Sequence, residues 1–160
     1  MDPIETVKTQ FADQVLGIYE HAGQKYVHVR RDRIFEILKT LRDACGFDML
    51  TDLTCVDYLN QGMPERFSVV YNLYSVKENV RTRVKAFVPE GDPAIDSAAS
   101  LWKSAPWAER EVWDLFGITF RGHPDLKRLV LPESYQGHPL RKDYPLTGRG
   151  ERMSFPRYVE

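Results

Sequence analysis

NVRTRVKAFV, residues 79–88, alternates along its whole length. Val80, Val84, Ala86 and Val88 share one side with Thr82 between them, and Arg81, Arg83 and Lys85 share the other. Successive side chains of a strand point to opposite faces, so this pattern predicts a β-strand with one apolar and one cationic face. Such a strand belongs to a sheet covered on one side, which favours antiparallel neighbours. The cations then face water or a partner.

Upstream, RFSVVYNLYSV holds Phe67, Val69, Tyr71 and Leu73 in phase, a second strand. Residues 47–59, FDMLTDLTCVDYL, are apolar at both parities and predict a central strand covered on both faces. NQGMPE, residues 60–65, is turn vocabulary between the two. Further back, Ile34, Ile37, Leu38, Leu41 and Cys45 form a helical stripe, with Asp32 as its expected cap and Gly46 as its stop. QKYVHVR, residues 24–30, reads as a short strand. Ile4, Val7, Phe11, Val15 and Ile18 predict a first helix, opened by Asp2-Pro3 and ended by Gly23.

Downstream, VPEGDP breaks the sheet. A helix is expected from about Ala94, interrupted at Ser104-Ala105-Pro106. Pro106 then opens PWAEREVWDLFG, ended by Gly117. The order helix, strand, helix, three strands, helix predicts a two-layer α+β domain over residues 1–117, with a mixed, largely antiparallel sheet. Residues 118–160 are expected to form an extended C-terminal arm that wraps a partner.

The arm is rich in turn residues. Five of the chain's ten prolines are Pro124, Pro132, Pro139, Pro145 and Pro156. Long structureless segments in compact proteins are functional or disordered, yet this one carries Leu126, Leu129, Val130, Leu131, Tyr135, Leu140, Tyr144, Leu146, Phe155 and Tyr158. Burial of these residues must offset an ordering cost of about 1–2 kcal/mol per residue. Much of the arm is therefore expected to lie against another protein.

Charge supports the division. The chain of 160 residues has a net charge of −1, which argues against a dedicated nucleic-acid binder. Residues 1–117 carry four more acids than bases, whereas residues 118–160 carry three more bases than acids. Cys45 and Cys55 form no CxxC and read as reduced thiols of a cytoplasm-like compartment. No apolar run approaches the ~20 residues of a membrane span. The N-terminus has neither a basic nor an apolar leader region.

Two Gly-His-Pro turns, Gly122-His123-Pro124 and Gly137-His138-Pro139, are followed by cations: Lys127 and Arg128, then Arg141 and Lys142. Two histidines 15 apart with no cysteine nearby do not make a zinc set. Phosphate loops, a dinucleotide fingerprint and a serine elbow are missing from the sequence. Two lone cysteines do not hold an iron–sulfur cluster. A free-standing metal-binding enzyme built on His123 and His138 is thus the weakest reading. Glu109, Arg110, Glu111 and Asp114 crowd one helical segment with Trp107, Trp113 and Phe116. Buried acids need partners, and the basic arm is the candidate to supply them.

At these residues the chain resembles the thirty-kilodalton subunit family of respiratory complex I, the NADH–quinone oxidoreductase. Glu109-Arg110-Glu111, Asp114, Leu115-Phe116, His123, Lys127 and Leu129-Val130 fit its signature. LPESYQGHPLRKDYPL resembles its continuation. The resemblance implies a non-catalytic peripheral-arm subunit with no redox cofactor of its own. FMN, iron–sulfur clusters and quinone would belong to its partners. It implies the large quinone-site subunit of complex I and the cluster-bearing subunits as neighbours. It also implies a peripheral place on the cytoplasmic side of the bacterial inner membrane. The expected interface comprises Glu109, Arg110, Glu111, Asp114, His123, Pro124, Lys127, Arg128, His138, Pro139, Leu140, Arg141, Lys142 and Tyr144. The equivalent subunit of a membrane-bound hydrogenase or ferredoxin-linked relative is the alternative, because other subunits choose the electron donor.

Overall fold

The computed structural model describes residues 2–150. Phe155, Pro156 and Tyr158 lie outside them. The elements are α1 (Pro3–Gln10), β1 (Val15–His21), β2 (Gln24–Arg30), α2 (Ile34–Asp43), β3 (Met49–Asp57), β4 (Phe67–Ser75), β5 (Val80–Val88), β6 (Ala94–Asp96), α3 (Ala105–Phe116) and β7 (Thr119–Arg121). Five strands form one sheet in the order β1-β2-β5-β4-β3. Every pairing is antiparallel except β2 with β5. The α+β class and the mixed, largely antiparallel sheet are as the strand patterns predict.

The apolar side of β5 sets the core. Val84 lies in register with Val27 of β2 and Tyr71 of β4, and all three are buried. Ile34, Ile37, Leu38 and Leu41 of α2 join the same cluster, as do Val112 and Phe116 of α3. The helices thus cover one face, and the cationic row of β5 lies on the other.

Four local expectations are corrected. The first helix stops at Gln10, and Val15 and Ile18 lie in β1. Their spacing fits a helical stripe, but Ala22 (φ 50°) and Gly23 (φ 75°) make a two-residue hairpin turn that pairs β1 with β2. Both central residues of such a turn need positive φ, so Gly23 closes a hairpin instead of capping a helix. Next, β3 is an edge strand, not a central one. Its mixed parity comes from a register shift between Leu50 and Asp52, which brings Leu50, Leu53 and Cys55 all inward. The strand buried on both faces is β4. Third, no helix starts at Ala94. Ala94, Ile95, Ala98 and Leu101 are buried at helical spacing, but β6 pairs parallel with β7, a long-range partner that local spacing does not reveal. Finally, Arg33 occupies the N-cap of α2, and no side chain caps that end.

Beyond Gly117, Ile118 and Phe120 are buried in the domain core. From Gly122 onward the chain has no helix or strand among the described residues.

Candidate functional site

The site is the exposed side of α3 with the arm laid along it. Helix α3 ends in Gly117, whose left-handed φ of 75° closes the last turn back onto Trp113. Ala105, Glu109, Val112 and Phe116 form its inward side, so Glu109 faces the core and is fully buried. Its carboxyl accepts from the Ser97 hydroxyl and the Ala98 amide, both at 2.6 Å. Burial outweighs these bonds and raises its pKa to about 7.

His123 Nε2 stands 4.0 Å from the Glu109 carboxyl. The Asp125 amide donates to His123 Nδ1 at 3.0 Å, so Nε2 carries the proton and donates to the Pro106 carbonyl at 3.0 Å. The pair is therefore not an ion pair. A carboxyl whose folded pKa is raised above its unfolded value binds extra protons when folded. Its contribution is complete below the unfolded value of 4.5 and is lost as pH rises to about 7. Glu109→Gln is expected to flatten unfolding free energy between these values by on the order of 3 kcal/mol relative to the parent. Urea denaturation of both proteins across that range checks it.

Asp114 does the opposite job. It is buried where α3 meets the arm, and Oδ2 accepts the amides of Leu129, Val130 and Leu131 at 3.0, 2.8 and 2.9 Å. Oδ1 accepts from Arg128 Nη1 at 2.6 Å. Burial alone would raise its pKa, but the three amides and Arg128 hold it below the ordinary carboxylate value. Arg128 also donates to the Tyr135 carbonyl at 2.6 Å. Arg110 donates to the carbonyls of Lys127 and Arg128 and lies over the Trp107 ring. Glu111 is exposed.

The two Gly-His-Pro turns clasp the two ends of α3. His123 holds the Pro106 carbonyl, and His138 Nδ1 donates to the Asp114 carbonyl at 2.9 Å. These carbonyls are eight residues apart, about 12 Å along a helix, so the pair does not converge on one ion. Among the described residues no group of three or more His, Cys, Asp or Glu is placed to hold a metal. Gly122 (φ 79°) and Gly137 (φ 112°) supply backbone that other residues rarely adopt.

Past His138 the arm crosses to the sheet. The Leu140 amide bonds the Leu115 carbonyl, and Arg141 Nε donates to the Phe116 carbonyl at 2.6 Å while lying over the Phe67 ring. The Lys142 amide donates to Asp57 at 2.9 Å. The hydroxyls of Tyr135 and Tyr144 meet at 2.8 Å. A hub that sequence reasoning missed ties this end down. Arg66 bonds Asp57 at 2.9 Å, Asp143 at 2.8 Å and Glu90 at 2.5 Å. No local signal marks Arg66, because its partners stand 9, 24 and 77 residues away.

Most expected interface residues are thus engaged within the chain. Glu109, Arg110, Asp114, His123, Arg128, His138 and Arg141 bind its own backbone or side chains. Pro124 is exposed, Lys127 pairs with Asp125 at the surface, and Pro139 is half-buried. Large apolar side chains are also exposed here, Trp107 (60%), Val130 (59%), Leu140 (51%) and Leu129 (37%), among exposed charges such as Glu111, Lys127 and Lys142.

Gly117 is the seat of this arrangement. A Cβ there would stand 2.6 Å from the His138 ring and 2.7 Å from Arg141 Nη2. Gly117→Ala combines a left-handed penalty of about 1–2 kcal/mol with displacement of His138 and Arg141. The expected loss is about 2–3 kcal/mol, roughly 5–10 °C in Tm, checked by thermal unfolding.

Comparison with known proteins agrees with this geometry. The family model described as respiratory-chain NADH dehydrogenase, 30 kDa subunit, matches residues 27–150. An NADH-quinone oxidoreductase subunit from Citrifermentans bemidjiense is 49% identical over 142 residues, covering 89% of this chain and 87% of that protein. A solved trypsin-resistant fragment of Nqo5, residues 1–134, is 39% identical with a TM-score of 0.69, covering 78% of this chain and 99% of the fragment. A chain of the archaeal membrane-bound sulfane sulfur reductase shares the fold at 20% identity and a TM-score of 0.77, covering 98% of this chain and 93% of that one. With its signature residues on α3 and the arm laid against it, and the family matched over most of its length, the chain belongs to the 30 kDa subunit family of the respiratory-chain NADH dehydrogenase.

Proposed function

We propose that the chain is a non-catalytic peripheral-arm subunit of NADH–quinone oxidoreductase. It supports electron transfer from NADH to quinone, coupled to proton translocation, by organising its neighbours. The observation that carries this reading is the use made of the signature. Asp114 and the two histidines pin the arm to α3, so they are spent within the chain, while Trp107, Leu129, Val130 and Leu140 are exposed. Exposed large apolar side chains are what a stable neighbour binds. In this reading residues 1–117 are the domain and residues 118–160 the arm, whose first residues, Ile118 and Phe120, are buried in the domain core. The arm and α3 meet the large quinone-site subunit and the cluster-bearing subunits, and these neighbours hold the FMN, iron–sulfur clusters and quinone of the complex. The chain sits on the cytoplasmic face of the inner membrane. Among the described residues no helix is long and apolar enough to cross a membrane.

The fold alone does not separate this reading from the alternative, the equivalent subunit of a different membrane complex such as a hydrogenase, because a chain of an archaeal respiratory membrane complex, the sulfane sulfur reductase, shares it. The 49% identity to an NADH-quinone oxidoreductase subunit favours the NADH form. Pull-down of tagged chain from solubilised membranes is expected to bring an NADH-oxidising flavoprotein and the large quinone-site subunit. Recovery with a hydrogenase-type donor module instead, or with no partner, would contradict the proposal.

A further inference from the structure

On the sheet face away from the helices, Arg81, Arg83 and Lys85 of β5 lie beside Tyr26 and His28 of β2 and beside Asn72 and Tyr74 of β4. Tyr19 of β1 stacks on Tyr26 with centroids 5.5 Å apart and tilts over His28 at 4.4 Å. Gly17 makes this possible, since a Cβ there would stand 2.8 Å from the Tyr19 ring. Lys85 Nζ lies 5.2 Å from the Tyr26 ring centre and Arg81 lies 5.6 Å from that of Tyr74. Among the described residues Arg83 donates only to the Asn72 amide oxygen.

None of these three cations forms an ion pair among the described residues. The carboxylate in their rows, Asp52 on the edge strand, is engaged by Asn72. Burial and the neighbouring Arg83 lower the Lys85 pKa, so its charge is held at a cost. Below it His28 is 7% exposed, with a buried Nε2 that has no hydrogen-bond partner. Three like charges about 7 Å apart along one strand repel each other. Tyrosine and arginine are the residues enriched in interface centres. A cationic row that forms no direct ion pair among the described residues, set on a tyrosine platform, is complementary to an anionic surface.

We propose that this face is a second docking surface, opposite α3 and the arm, and that it takes an acidic protein surface. Aspartate or glutamate side chains of a neighbouring subunit reach Lys85 and Arg83 beside the Tyr19 and Tyr26 rings. The inference rests on the chain being part of a larger assembly, and it adds where a second neighbour sits and what chemistry it brings.

The test compares the isolated full chain with the purified membrane complex. Carbodiimide joins an amine to a touching carboxylate with loss of water. In the complex it is expected to couple Lys85 to an Asp or Glu of another chain, and acetylation of Lys85 is expected to slow at least tenfold relative to the isolated chain. A doubly substituted chain, Arg83→Glu with Lys85→Glu, is expected to be retained several-fold less in the complex, with its own unfolding midpoint unchanged. Equal acetylation of Lys85 in both states overturns the proposal. Protection without coupling to a carboxylate overturns the acidic chemistry, and protection relieved by nuclease assigns the face to RNA instead. In each of these the chain still co-purifies, so the functional reading stands. A chain that joins no membrane complex overturns that reading, and this inference with it.

Discussion

Asp114→Ala is expected to release the arm from α3 in the isolated chain. The change removes one acceptor for three amides and the counter-charge of Arg128. Breaking a buried charge pair from one side costs about 3–5 kcal/mol, because the remaining groups are left desolvated and unpaired. The expected readouts are a drop of that size in unfolding free energy and new tryptic cuts after Lys127 and Arg128. Acid does the same to the parent. A carboxyl with a depressed folded pKa stabilises above its ordinary value of 3.8, and that contribution is lost as pH falls through the lower folded value. Near neutrality the cuts are therefore absent in the parent and present in Asp114→Ala. An unchanged tryptic pattern in the variant would remove Asp114 as the anchor.

Arg66→Ala is expected to be comparably severe and to act at the other end of the arm. Arg66 is the counter-charge of Asp57, whose side chain is 1% exposed. Its removal leaves a buried carboxylate with only the amides of Leu59 and Lys142, a loss of about 3–5 kcal/mol. The arm is coupled to this loss, since Lys142 and Asp143 both bind the hub. Most of the effect belongs to Asp57. Asp143 is half exposed, so Asp143→Ala alone is expected to cost under about 1 kcal/mol. Arg66→Met combined with Asp57→Asn removes both charges and is expected to recover much of the stability, because two matched neutral groups cost less to bury than one orphaned ion. Urea denaturation of these variants decides it. Equal losses for Arg66→Ala and Asp143→Ala would make the hub a surface feature.

The sheet was legible in the sequence wherever burial was one-sided. β5 announces itself because its inward and outward residues differ in charge as well as polarity. β1 does not, because Val15 and Ile18 suit helix and strand alike and only the Ala22-Gly23 turn separates the two. β6 and β7 were hidden for another reason: each is three residues long and its partner lies some 25 residues away. At the site, Glu109, Asp114, His123, Arg128, His138 and Arg141 were legible as residues that act together. Their direction was not. A buried acid advertises that it needs a donor, but composition does not say which chain supplies it, and here backbone amides and arginines of the same chain do. Arg66 carried no signal, since a single arginine among 22 basic residues is ordinary until the fold gathers Asp57, Glu90 and Asp143 around it.

The described part of the arm is thus bonded to its own domain, and this is the surface that the proposed neighbours would meet. Hydrogen exchange of the isolated full chain, without partners, tests this most directly. The amides of Leu129, Val130 and Leu131 are expected to exchange at least a hundredfold more slowly than in an unstructured peptide, and Asp114→Ala is expected to abolish the protection. Peptide-like exchange at these three amides in the parent chain, with protection only in the assembled complex, would contradict the account and make the arm a partner-ordered segment.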